Sequence, residues 1–117
     1  MNYKQLDATL SVSEQIAPAD VPALTARGFR SIICSRPDGE GWGQPRFAEI
    51  EAAATAAGLR AAYLPIVPGT MSHDDVRKFG ELLDTLPGPI LGYCRSGARV
   101  AGLWSAAKAA GRGRAVG

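Results

Sequence analysis

The segment Tyr93-Cys94-Arg95-Ser96-Gly97-Ala98-Arg99 brings together the groups that nucleophilic chemistry on an anion requires. A cysteine that follows a buried strand and precedes a helix lies beside backbone N–H groups with no intrahelical partner. Those amides form a cradle for an anion or a thiolate. Arg99, at the helix start, offers a planar fork for two oxygens of an oxyanion. Arg95, Ser96 and Ala98 complete an anion-binding loop, and Gly97 lets it close tightly. A single cysteine at a strand end is otherwise an ordinary small buried residue. Here the preceding strand, the Cys-X4-Arg spacing, the glycine and acid-free surroundings favour a reactive thiolate.

Positioning such a loop requires a sheet with helices on it, and the chain alternates short apolar runs with amphipathic stretches, as an α/β domain with a largely parallel sheet does. Strands are expected at Leu10–Ser13, Phe29–Cys34, Ala61–Pro65 and Ile90–Tyr93, the last of them central. Helices are expected over residues 19–27, closed by Gly28, and 46–57, closed by Gly58. A third opens at Ser72 with a capping box to Asp75 and is stopped by Leu86-Pro87-Gly88-Pro89, and a fourth covers Val100–Ala110. The fold class is a three-layer parallel-sheet α/β domain over residues 1–110, with 111–117 a disordered tail.

In an open parallel sheet the strand C-termini gather at one edge with the ligand crevice. Cys34 ends a strand there. It is either a buried inert thiol or a resolving thiol that captures an oxidised or persulfidated Cys94. Arg36 and Asp38 share that edge: Arg36 either adds to the anion site or pairs with Asp38. Trp42, set among glycines, is a mobile cover or a loop anchor.

Composition bounds the partners. The 117 residues are 46% hydrophobic and 21% charged, with a net charge of +2, which fits one domain without a polyanion-binding charge. Residues 1–84 hold eight bases and eleven acids, and residues 85–117 hold five bases and no acid. The basic bias therefore falls on the Cys94 loop and the residues C-terminal to it. Two arginines in the tail make too few phosphate contacts for a nucleic-acid partner. Two cysteines 60 positions apart form neither a disulfide framework nor a metal site, so no cofactor or metal is expected and a reducing cytoplasm is the expected compartment. No apolar signal region and no uncharged run approaching roughly 20 residues points to secretion or a membrane.

Cys94-Arg95-Ser96-Gly97-Ala98-Arg99 resembles the active-site loop of rhodanese-type sulfurtransferases, whose cysteine carries a persulfide and whose loop has the same length. From about residue 3 to 110 the chain resembles the beta-lactamase hydrolase-like phosphatase-like domain, DUF442, sometimes described as a sulfur transferase. Gly28-Phe29-Arg30-Ser31-Ile32-Ile33, Arg36-Pro37-Asp38-Gly39-Glu40, Tyr63-Leu64-Pro65-Ile66-Val67 and Tyr93-Cys94-Arg95-Ser96-Gly97 carry that likeness. It implies a dual-specificity-phosphatase-like fold, with Cys94 as nucleophile and Arg99 as oxyanion ligand. Phosphatases of this superfamily typically use a Cys-X5-Arg loop followed by Ser or Thr, whereas here the loop is one residue shorter and Val100 comes next. A phosphatase also needs a general acid. Residues 66–71 hold none, and the nearest candidates are His73, Asp74 and Asp75, at a helix start where acids are favoured by the macrodipole alone.

Three readings result. The leading one is sulfane-sulfur transfer through a Cys94 persulfide, from a small anionic donor to a thiol or other acceptor. The second is hydrolysis of phosphate esters through a phosphocysteine, and the third a non-catalytic anion-binding or regulatory module. The oligomeric state is left open.

Overall fold

A computed structural model describes residues 1–112 of the chain. In order, the elements are β1 (Tyr3–Gln5), β2 (Leu10–Ser13), a 3-10 turn (Pro18–Asp20), α1 (Val21–Ala26), β3 (Ser31–Cys34), α2 (Phe47–Ala56), β4 (Arg60–Tyr63), α3 (His73–Thr85), β5 (Ile90–Tyr93) and α4 (Ala98–Ala109). One five-stranded sheet has the order β1-β2-β5-β3-β4. β2, β5, β3 and β4 run parallel, and β1 pairs antiparallel with β2.

The middle of the sheet follows from its residues. Ile90-Leu91-Gly92-Tyr93 is buried throughout, as a strand covered on both faces must be, and such a run is nearly all apolar. The edges are held by β1, with Lys4 and Gln5 exposed, and by β4, with Arg60 exposed; charged edges oppose pairing with other chains. One face carries a cluster of Leu10, Ile33, Leu64, Phe79, Leu83, Val100 and Leu103, against α3 and α4. The other carries Val21, Leu24, Ile32, Ile50, Leu91 and Tyr93, against α1 and α2. Each such side chain, fully buried, contributes about 1.5–3 kcal/mol. The three-layer parallel-sheet domain expected from the sequence is therefore present, with one antiparallel edge strand added.

Several boundaries differ. β1 carries no apolar alternation, and it forms because it can pair with β2 and pack Tyr3 edge-on against Phe29, with ring centroids 5.1 Å apart. Phe29 lies outside β3, since its amide closes α1 on Leu24 O at 3.1 Å. The α3 capping box is present: Asp75 N donates to Ser72 Oγ at 3.1 Å and Ser72 N to Asp75 Oδ2 at 2.9 Å. The end of α4 runs into the expected tail, because Gly111 N donates to Lys108 O at 3.0 Å and Arg112 N to Ala107 O at 2.7 Å, a Schellman closure. Residues 113–117, the rest of that tail, lie outside the described residues.

Register determines what meets at the sheet edge. Ser13 stands opposite Tyr93, Tyr93 opposite Cys34, and Cys34 opposite Tyr63. The C-termini of all four parallel strands therefore end on one line, and the Cys94 loop leaves from its middle. α4 is pressed onto β5 at Gly92, where a Cβ would lie 2.6 Å from Val100 Cγ1. That close approach seats the helix start directly after the loop.

Candidate active site

Cys94 is fully buried, and its Sγ accepts a hydrogen bond from Gly97 N at 3.1 Å. The bond requires a tight loop. Gly97, the residue capping α4, has φ +94°, and a Cβ there would meet Val12 Cγ2 at 3.1 Å and Ser13 O at 3.4 Å. Only glycine accepts both the left-handed backbone and the close wall. Ser96 Oγ accepts from Ala98 N at 3.3 Å, and Arg95 O from Gln15 N at 3.3 Å. The side chains of Arg95, Ser96 and Ala98 face solvent. An open groove of about 550 Å³ runs beside Ser96, Gly97 and Ala98, with Lys4, Ser13 and Glu14 among its walls.

Arg99 does not hang free at the helix start. Nη1 donates to Glu40 Oε2 at 2.7 Å and to Ile66 O at 2.9 Å, while Nη2 donates to Glu40 Oε1 at 2.6 Å. Arg36 Nε reaches the same Glu40 Oε1 at 3.0 Å, and its Nη1 donates to Gln15 Oε1 at 3.1 Å. The Arg99 guanidinium beside Glu40, helped by Arg36, holds that carboxyl at about 2. Glu40 in turn keeps Arg99 protonated beyond its usual range, with the Cys94 side chain a further neighbour. A carboxylate from the β3–α2 loop thus aims the arginine in the first turn of α4.

Glu40 is the site residue that sequence reasoning missed. Its four-residue spacing from Arg36 was visible, yet nothing local tells that its main partner stands 59 positions away. Of the expected alternatives for Arg36, the pair with Asp38 gives way to the Glu40 contact. Asp38 does not pair with it: Asp38 Oδ1 accepts from Phe47 N at 2.8 Å and so caps α2, and Asp38 N donates to Tyr63 Oη at 2.8 Å.

Cys34 and Cys94 are both free thiols, and they sit on opposite faces of the sheet. Cys34 packs with Tyr93 in the α1/α2 layer, and Cys94 in the α3/α4 layer. Burial pushes the Cys34 thiol up, and its Sγ donates to Arg36 O at 3.3 Å. Burial thus favours the neutral thiol over the thiolate.

Of the acid candidates at the start of α3, the two aspartates have partners within the helix and its cap. Asp75 is used in the capping box. Asp74 pairs with Arg77 at 2.6 Å and Lys78 at 3.2 Å, and these cations, Arg77 foremost, lower its carboxyl further. His73 is exposed on the first turn. Trp42 is fully exposed, so it anchors nothing in the loop that carries Glu40.

The comparisons with known proteins agree with this architecture. The family model for the phosphatase-like domain of beta-lactamase hydrolase-like protein matches residues 2–111. A beta-lactamase hydrolase-like protein of Agrobacterium fabrum is 36% identical over 104 residues, 89% of this chain and 24% of its own length. One from Xylella fastidiosa is 32% identical over 105 residues, 90% of this chain and 24% of its own. The chain thus spans about a quarter of the curated relatives it matches. The crystal structure of a phosphatase candidate from Neisseria meningitidis superposes with a TM-score of 0.86 at 35% identity, covering 92% of this chain and 77% of that one. The catalytic core of the PP-IP phosphatase SIW14 from S. cerevisiae, at 18% identity and a TM-score of 0.70, covers 88% of this chain and 62% of its own, and shares the fold. With its Cys94 loop at the sheet's C-terminal edge and the family model spanning nearly its whole length, the chain belongs to the beta-lactamase hydrolase-like phosphatase-like domain family and has a dual-specificity-phosphatase-like fold.

Proposed function

We propose that this phosphatase-like domain is a sulfurtransferase in which Cys94 carries sulfane sulfur as a persulfide. The first step is attack of the Cys94 thiolate on the outer sulfur of a donor such as thiosulfate. The new S–S bond to Cys94 forms as the donor's own S–S bond breaks, and sulfite leaves with the electron pair. An acceptor thiolate then takes the outer sulfur from the persulfide and releases Cys94. Arg99 and the loop amides hold the anionic donor.

The observation that carries this reading is the state of Glu40 and of the three aspartates considered as acids. Glu40, the acid against Arg99, stays ionised down to about 2. Asp38 caps α2, while Asp74 and Asp75 are bound within α3. An alkoxide leaving from a phosphate ester needs a proton from such a group, whereas sulfite and thiolates leave without one. The short loop and the apolar Val100 after Arg99 point the same way.

Hydrolysis of phosphate esters is the second reading, favoured by the likeness to the Neisseria phosphatase candidate. Parallel incubation with thiosulfate and with an aryl phosphate, read by intact mass and phenol release, separates the two. Wild-type protein is expected to gain one sulfur atom from thiosulfate, and Cys94→Ser none. Failure of every sulfane donor to modify Cys94, with phenol released from the ester, would replace the sulfur reading by the hydrolytic one.

A further inference from the structure

Ser35 follows the last residue of β3 and is fully buried. Its hydroxyl is the one buried side-chain N or O atom, among the described residues, without a hydrogen-bond partner. An unpartnered hydroxyl taken out of water costs stability, so its retention calls for a reason. The backbone around it is fully engaged. Ser35 N donates to Tyr93 O at 2.9 Å, and Ser35 O accepts from Ile66 N at 3.0 Å. The chain is pinned on both sides, and the unmet need belongs to the side chain alone.

Register says where that side chain stands. Cys34 lies opposite Tyr93 on β5 and Tyr63 on β4, so the next rung is Ser35, Cys94 and Leu64. Cys34 and Tyr93 belong to the α1/α2 cluster, while Cys94 and Leu64 belong to the α3/α4 cluster. Strand side chains alternate between faces, which puts Ser35 on the face of Cys94. No hydrogen bond joins the two here, and the sulfur accepts from Gly97 N. α4 supplies no second donor at its first buried position, because Val100 is apolar and packs on Gly92.

We infer that Ser35 is a catalytic residue whose hydroxyl donates a hydrogen bond to Cys94 Sγ as that sulfur leaves as a thiolate. In physiological terms this rests on the sulfur-transfer reading. The acceptor thiolate RS⁻ attacks the outer sulfur of Cys94–S–SH. The RS–SH bond forms, the bond to Cys94 breaks, and Cys94 Sγ keeps the electron pair. Charge then appears on a sulfur buried from water, where an oriented hydroxyl lowers the barrier. Ser35 keeps its proton throughout. In loading that charge is on Cys94 at the start and leaves it, so losing the hydroxyl lowers the thiolate population but makes the thiolate a stronger nucleophile, and the two effects oppose.

The test compares wild type with Ser35→Ala in two single-turnover measurements read by peptide mass, which separates Cys94 from Cys34. The first follows loading from thiosulfate and then discharge to dithiothreitol. The variant is expected to load within about twofold of wild type and to discharge about tenfold more slowly, the size of one hydrogen bond to a charged group. It should melt no lower than wild type, because the lost hydroxyl had no partner. Equal discharge rates would overturn the assignment, and so would equal slowing of loading and discharge with a lower melting temperature, the mark of a structural role.

The second measurement uses Cys94 capped as a methyl disulfide with methyl methanethiosulfonate and released by dithiothreitol, which expels the same thiolate. If wild type takes no sulfur from thiosulfate, the sulfur-transfer reading fails, and this arm still decides Ser35. Release about tenfold slower in Ser35→Ala upholds it, and equal release refutes it.

Discussion

Replacing Glu40 by Gln removes a charge from the centre of the site while keeping the side chain's shape. The carboxylate takes part in three charge-assisted hydrogen bonds, two from Arg99 and one from Arg36. An amide offers one oxygen, and its NH2 group faces guanidinium N–H donor to donor. Hydrogen bonds to charged groups contribute about 1.5–3 kcal/mol, whereas solvent-exposed pairs contribute about 1 kcal/mol or less. The Arg99, Arg36 and Glu40 side chains are 13%, 10% and 22% exposed. Glu40→Gln should therefore cost about 2 kcal/mol at pH 7, between the two limits. For a domain of this size that lowers the melting temperature by roughly 8 °C.

The pH dependence gives a sharper check. The folded carboxyl at about 2 lies below the ordinary glutamate value. Its stabilisation is thus fully present above the unfolded value and is lost as the pH falls through the folded one. Gln does not titrate, so the gap between wild type and variant isolates Glu40. Urea unfolding at pH 7 and at about pH 3.5 should show that gap narrowing by about 1 kcal/mol, allowing for solvent screening of a partly exposed carboxylate. Persulfide loading should fall on the order of tenfold, as Arg99 loses its aim. A gap that is absent at pH 7, or constant down to about pH 3.5, would refute the assignment of Glu40 as the clamp on Arg99.

Gly97→Ala forces a Cβ onto a left-handed backbone and against Val12; a loss of about 2 kcal/mol in urea unfolding and markedly slower modification of Cys94 are expected, and an unchanged midpoint would contradict the tight loop. Gly92→Ala drives a Cβ into Val100 and should cost about 1–3 kcal/mol. A double-mutant cycle with Val100→Ala should show coupling of at least about 1 kcal/mol, and additivity would mean that α4 is not seated on β5 at this contact.

Much of this molecule was readable from local sequence. The strand at Ile90–Tyr93, the glycine-closed helices, the Ser72–Asp75 cap and the Cys94 loop each rest on residues within a few positions of one another. Local chemistry also suffices for Gly97 N to reach Cys94 Sγ, since the donor lies three residues on. β1 escaped notice because three mostly polar residues become a strand only when β2 is there to pair with them. The partner of Asp38 is hidden for a related reason: the Phe47 amide exists as an open donor only once α2 has started.

The sequence by itself therefore determined the place of Cys94 between strand and helix, the glycine-closed loop after it and the class of sheet beneath them, because period, capping and loop spacing act over short distances. Tertiary structure alone decided what surrounds the thiol. Register set Cys34 beside Tyr93 on one face with Cys94 in the cluster of the other, and the β3–α2 loop carried Glu40 to Arg99 across 59 residues. Those are pairings between groups far apart in the chain, and their energies depend on burial and alignment that no local window contains.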